Sequence, residues 1–156
     1  MKSKDQLIEE FSGLIPFLES LRGIDEGVWA APIGDGKWSI RDIVSHVMLW
    51  DEYFLREAVD RVVDGKPITV QHLNFDEFNR RAMAYGEATP RDKLIQEAVA
   101  CRRRIIHHLT QIPQEEYTTA FAGPDGKFVI QDYIRDFVDH DTWHMGQVQT
   151  FLKSTE

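Results

Sequence analysis

The chain has 156 residues, 42% of them hydrophobic and 28% charged, with 26 acidic against 18 basic side chains for a formal charge of −8. Such a composition excludes disorder and fits a single domain over residues 1–156 that builds its core without staples. Acidity without a basic stripe argues against a nucleic-acid partner, and no window approaches the roughly 18 apolar residues of a membrane span.

The single cysteine, Cys101, rules out an internal disulfide and suits a reducing compartment. The opening Met1-Lys2-Ser3-Lys4-Asp5 lacks the apolar run of a secretory signal, so a cytoplasmic location is expected.

Ser3 with Gln6 three residues later predicts a capping box, and Leu7, Phe11, Leu14, Leu18 and Leu21 continue at helical spacing. Pro16 removes a backbone donor inside this first helix, so a kink after two turns is expected, with Gly23 ending it. Residues 23–37 contain Pro32, Gly34 and Gly36 and predict a connector whose Trp29 covers one end of the bundle. Ser39 caps the second helix, with Asp42 in its first turn where the helix dipole favours an anion. Ile40, Ile43, Val47, Trp50 and Phe54 mark its buried face, His46 falls on or beside that stripe, and the helix is expected to reach about Asp64.

Between Gly65 and Thr89 the pattern weakens. Pro67 and Ile68-Thr69 interrupt it, and residues 74–85 predict a short extra helix with Phe75, Phe78 and Met83 as apolar contacts. A connection of this length suggests a segment folded over the domain, in the position of a lid. Thr89-Pro90 opens a third long helix through Gln111, with Leu94, Ala98, Cys101, Ile105, Leu109 and Ile112 as its stripe and Arg102-Arg103-Arg104 as a local charged run. After a Gly- and Pro-containing loop at 122–127, the last helix runs from near Val129 to near Lys153. Four long amphipathic helices with few strand signals predict an all-α four-helix bundle with one short extra helix between the second and third long ones.

The stretch from Asp35 to Val44 also echoes that from Asp125 to Ile134 at a shift of 90, identical at its Asp, Gly, Lys, Ile and second Asp. Either the second and fourth helices are related by pseudo-symmetry, or both use the same helix-start chemistry.

The chemistry concentrates in the last helix. His140 and His144 are four apart and lie one above the other, about 6 Å between Cβ atoms. They share a stripe with Phe137, Val148 and Phe151, so they are imidazoles in a core, a costly position unless the ring nitrogens find partners such as a divalent metal. His46 on the second helix is the third candidate. Three neutral imidazoles leave a coordination position open, which is the pattern of a catalytic site and not of a closed structural one. A metal there would acidify water, polarise a substrate oxygen or bind a thiolate.

The other titratable groups read more simply. His107 and His108 suit a helix C-terminus, His72 a solvated connection, and Cys101 an inert hydrophobe on a stripe. Asp51, Asp139 and Asp141 could orient imidazoles or act as a base, although each alone reads as a solvated acid, and Trp50 and Trp143 read as bundle packing.

Trp38-Ser39-Ile40-Arg41-Asp42-Ile43-Val44-Ser45-His46, the third helix ending near Ile112-Pro113, and His140-x-x-x-His144-x-x-Gln147 together resemble the DinB superfamily, including its YfiT-like metalloproteins, over almost the whole chain. The resemblance implies an up-down-down-up four-helix bundle, often dimeric, with a divalent metal, commonly nickel or zinc, on His46, His140 and His144. It also implies a small-molecule substrate and either a metal-dependent hydrolase or a transferase using a low-molecular-weight thiol. The alternative is a non-catalytic small-molecule binding or stress-response protein. Many members carry a basic residue after the last histidine, where this chain has Met145.

Overall fold

The computed structural model describes residues 2–156. Helix α1 (Lys4–Ser12) opens with the reciprocal Ser3–Gln6 box. The first helix is split and not merely kinked: α1 stops at Gly13 and α2 (Leu14–Ser20) begins at once. Pro16 thereby falls in the first turn of a new helix, where a missing donor removes no intrahelical bond. The expected connector holds one further turn, α3 (Glu26–Ala30), capped by the Asp25 carboxylate, and buries Trp29 in the core.

Helix α4 (Ile40–Phe54) starts from a reciprocal Ser39–Asp42 box and passes through a π-helical turn, Leu55–Val59, into α5 (Asp60–Val63), so the rod ends at Asp64 as its stripe suggests. Helix α6 (Phe75–Ala88) is the extra helix, α7 (Arg91–Gln111) the third long one, and α9 (Ile130–Ser154) the last, with the single turn α8 (Gln114–Thr118) before it.

A small antiparallel hairpin, β1 (Phe121–Gly123) with β2 (Gly126–Phe128), stands where a loop is expected from the sequence. Strands of three residues show no alternation to read, and Gly126, at φ +117°, takes the turn conformation other residues resist. Its counterpart in the echoed stretch is a narrower ribbon in which Ile33 N–H donates to the Trp38 carbonyl and Pro32 bridges Ser39. Each ribbon feeds a helix, at Ile40 and at Ile130.

Contacts at the helix ends fix the topology. Lys4, at the start of α1, donates to the Ile112 carbonyl beyond the end of α7, whereas Arg22, after α2, meets Gln96 near the start of α7. The α1–α2 rod is therefore antiparallel to α7. Helix α4 begins among Leu94, Ile95 and Ala98 and finishes, through its π turn, among Ile105, Leu109 and Ile112, which makes it parallel to α7; α9 runs the opposite way. The order is up-down-down-up. Two neighbouring parallel helices need a limb that brings the chain back, and α6 is that limb. It lies flush on α4: a Cβ on Gly86 would come within 3.1 Å of Ser45 Cβ, and the Ser45 hydroxyl donates to the Ala82 carbonyl. The length of the 65–89 connection is thus a requirement of topology.

The core has two apolar halves, one around Phe11, Phe54, Ile105 and Ile134, the other around Leu14, Met48, Val99 and Val148. Between them lies a polar layer centred on Arg102, which is fully buried. Its Nε and Nη2 donate to the two Asp51 oxygens at 2.7 and 2.9 Å, and its Nη1 donates to Asp141 Oδ2 at 2.7 Å and to the Phe11 carbonyl at 2.8 Å. One guanidinium thus ties together α1, α4, α7 and α9. Arg102 is no part of a solvated run, and Asp51 and Asp141 are not solvated acids; a bidentate fork is what makes charges at this depth tenable. Among the described residues no helix is long and apolar enough to cross a membrane.

Candidate metal centre

Helix spacing brings His140 and His144 together within α9, and the packing of α9 on α4 carries His46 to them. His140 Nε2 lies 3.1 Å from His144 Nε2 and 3.4 Å from His46 Nε2, and all three side chains offer a ring nitrogen within 4.8 Å of the others. His46 and His144 are 7% and 6% exposed and His140 is half-buried. Trp38, the residue before the Ser39 cap, lies parallel to the His144 ring at 6.4 Å between centroids and tilts against His46 at 4.9 Å.

The outer nitrogens settle which lone pairs face inward. His46 Nδ1 is 2.7 Å from Asn79 Oδ1 on α6, and His144 Nδ1 is 3.2 Å from Gln147 Oε1. A side-chain carbonyl oxygen only accepts, so each Nδ1 carries the proton and each Nε2 presents a lone pair to the cluster. Burial, reinforced by the neighbouring imidazoles, lowers the pKa of His46 and of His144 to about 4, and burial also lowers His140. All three are neutral at pH 7, the form that binds metal.

The arrangement fits a metal on its own geometry. The His46 and His144 lone pairs point at His140 Nε2 from 3.4 and 3.1 Å, a spacing that a shared cation bridges when all three nitrogens are unprotonated. Zinc bound to imidazoles at about 2.0–2.1 Å with tetrahedral angles would space its nitrogens about 3.3–3.4 Å apart. Imidazole donors suit zinc and nickel alike. An oxygen accepting from the far ring nitrogen is the usual companion of a metal-bound histidine, and Asn79 and Gln147 supply it for two of the three. His140 Nδ1 is buried and has no partner among the described residues.

The cluster forms the floor of a cavity of about 360 Å³ walled by Trp38, Ile43, Trp143, Gln147 and the 33–37 turn with Lys37. Trp143 is 61% exposed at its mouth, so it is not a packing residue as its sequence context suggested. Trp50 does pack, against Phe78 at 4.3 Å between centroids. Met145 turns away into the second core half. Asp51 and Asp141 orient no imidazole; burial raises the Asp51 carboxyl to about 6 against the pull of Arg102. Cys101 is partly buried, and desolvation pushes its thiol up to about 12. His107 and His108 lie at the far end of α7, outside the cluster. His72 borders a separate aromatic cavity beside Trp50 and Tyr133.

Fold and site together define a class: a four-helix bundle whose second and fourth long helices converge three neutral imidazoles beneath an open cavity. The model of the DinB superfamily matches residues 16–148, and the chain belongs to that superfamily. YfiT from Bacillus subtilis, described as a probable metal-dependent hydrolase with an unusual four-helix bundle topology, superposes with a TM-score of 0.79 at 12% identity, covering 97% of this chain and 87% of that one. The colibactin self-resistance protein ClbS, solved in complex with double-stranded DNA, superposes with a TM-score of 0.74 at 17% identity, covering 98% and 97%. At such identities the likeness is one of fold. No curated protein matches the sequence.

The ClbS complex corrects one expectation. Exclusion of nucleic acid rested on net acidity and on the lack of a basic stripe along the sequence, yet a protein of this fold is solved on duplex DNA. Net charge is a sum over the whole surface, whereas phosphate contacts depend on where individual cations stand.

Proposed function

We propose that the protein is a metal-dependent enzyme acting on a small molecule, with His46, His140 and His144 holding a divalent ion, zinc or nickel, through Nε2. The observation that carries this reading is the convergence of three neutral imidazoles beneath an open cavity, with the His46 and His144 lone pairs 3.4 and 3.1 Å from His140 Nε2. When bound, the ion supplies Lewis acidity that lowers the pKa of water or of a thiol and polarises a substrate oxygen. Asn79 and Gln147 hold His46 and His144 in the ligating tautomer. Trp38 fixes the ring planes, and the walls of Ile43 and Trp143 limit the water around a substrate.

YfiT's description as a probable metal-dependent hydrolase favours water as nucleophile. A second reading, transfer to a low-molecular-weight thiol, draws on the lining: no carboxylate borders the cavity among the described residues. A thiol is far more acidic than water before any metal binds it, so the lack of a carboxylate base costs thiol transfer less than hydrolysis. Purified protein assayed for metal should carry close to one ion per chain, and His144→Ala should lower that content about tenfold or more. Full metal retention in the variant would remove the site as described. Electrophilic substrates incubated with and without a thiol then separate the chemistries: thiol-independent product means hydrolysis, thiol-dependent conjugate means transfer. Ligand-induced stabilisation with no product would make the cavity a binding site only.

A further inference from the structure

The cavity above the histidines continues into a second one, of about 490 Å³, and the two share Ile33, Lys37, Trp143 and Gln147. The second runs along α9 past Gly146, Thr150 and Phe151 to Ser154. From Trp143 to Ser154 is eleven helical steps, about 16 Å at 1.5 Å each. The groove is therefore long, with the reacting end at the imidazoles and the apolar faces of Ile33, Trp143 and Phe151 leading away among the uncharged polar side chains of Gln147, Thr150 and Ser154.

Its charge is out of keeping with the rest of the molecule. The chain has 26 acidic side chains and a formal charge of −8, yet no Asp or Glu stands in either wall among the described residues. Asp35, in the same turn as Lys37, is exposed and lines neither cavity. The single cation common to both walls is Lys37. It makes no ion pair among the described residues, as is true of the other lysines except Lys2, so its charge is not neutralised by a neighbouring carboxylate. Its stem is laid against the turn: a Cβ on Gly34 would come within 3.1 Å of Lys37 Cγ. Beside it Trp143 leaves 61% of its surface in water, an apolar face with nothing covering it.

We propose that this groove selects a small monocarboxylate with a slim apolar body, its carboxylate against Lys37 at the junction and its body along Trp143 and Phe151. The proposal rests on the reading of the histidine cluster as the reacting end. One ammonium, without an arginine fork beside it and with the nearby start of α4 already capped by Ser39 and Asp42, matches one negative charge; a phosphate dianion would call for more donors. A wall free of carboxylates avoids the repulsion that the rest of the surface would impose. The apolar run supplies binding in proportion to the chain length laid along it.

The test is calorimetric titration of the zinc-loaded protein with acetate, hexanoate and hexylamine, alongside Lys37→Gln and Trp143→Ala. Hexanoate should bind at least about tenfold tighter than acetate or hexylamine. Lys37→Gln should remove most of the preference for hexanoate over hexylamine, and Trp143→Ala most of the preference for hexanoate over acetate. Equal binding of the acid and the amine, or an unchanged preference in Lys37→Gln, overturns the proposal. Displacement of hexanoate by a short DNA duplex would put backbone phosphates in the groove instead and also overturns it. Zinc measured in the same samples keeps the two readings apart. Protein that holds no zinc yet shows the Lys37-dependent preference refutes the metal centre alone; protein that holds zinc but ignores ligand charge refutes the carboxylate groove alone.

Discussion

Asn79 is the residue whose role is most local and most exposed to test. Its side-chain oxygen, 2.7 Å from His46 Nδ1, is that nitrogen's one hydrogen-bond partner among the described residues and comes from the return limb α6, 33 positions away. Asn79→Leu should leave the apo fold near its normal melting temperature and weaken zinc binding about 10- to 100-fold, read by competition with a chromophoric chelator. Nothing in the sequence marks Asn79, because an asparagine on a short amphipathic helix is ordinary and its partner is set by topology. The three histidines were legible, since His140 and His144 share a helical stripe and His46 stands on a buried face.

Arg102 was legible in part: Ile95, Ala98, Arg102, Ile105 and Leu109 recur at three, four, three and four, and a charge on that line is a signal. The neighbouring arginines and Cys101, which fits almost as well, obscured it.

The same imidazoles set a pH dependence. His46 and His144 titrate near 4 in the fold, chiefly through burial, against about 6.5 when unfolded. Above pH 6.5 both states are neutral there. Between about 6.5 and 4 the unfolded chain takes up protons that the folded chain refuses, so stability falls as pH falls through that window. Melts of metal-free protein from pH 7 to pH 4.5 should show this decline, and His46→Gln with His144→Gln should flatten it. An equally steep decline in the double variant would place the titration elsewhere.

At the scale of elements, the four helices of the bundle meet at one guanidinium. Arg102→Met strands two carboxylates in the polar layer, and the expected loss is on the order of 3–5 kcal/mol in urea unfolding. Replacing the whole set, Arg102→Met with Asp51→Leu and Asp141→Leu, should recover most of that loss, because desolvated charge and not lost volume is the cause. A triple variant as unstable as the single one would mean that the layer contributes by shape. The pieces not foreseen at this scale, α3, α8 and the β1–β2 hairpin, are five, five and three residues per element, too short for a period of 3.6 or 2 to show. The second, third and last long helices were placed within a residue or two because caps and stripes agreed over many turns, as at Ser39, whereas the short extra helix runs three residues past its expected end at 85.

For the whole molecule, the histidine cluster lies between elements far apart in the chain, with His46 on one limb and His140 and His144 on another. An ion bound there holds only when α4 and α9 are docked, so it should stabilise the fold by mass action. Zinc at about 100 times its dissociation constant would add about 2.7 kcal/mol, visible as several degrees in the melt and absent in His144→Ala. An unchanged melting temperature on adding zinc would show that the folded chain does not bind it.

The lone sulfhydryl has a practical bearing on how the chemistry can be traced. With Cys101 partly covered and its proton held to about pH 12, the polypeptide supplies almost no nucleophilic sulfur of its own near neutrality. Iodoacetamide should leave its intact mass unaltered over the course of an assay. Any thioether recovered from such a mixture then owes its sulfur to the added reagent, so isotopic labelling of that reagent alone would trace where the atom goes.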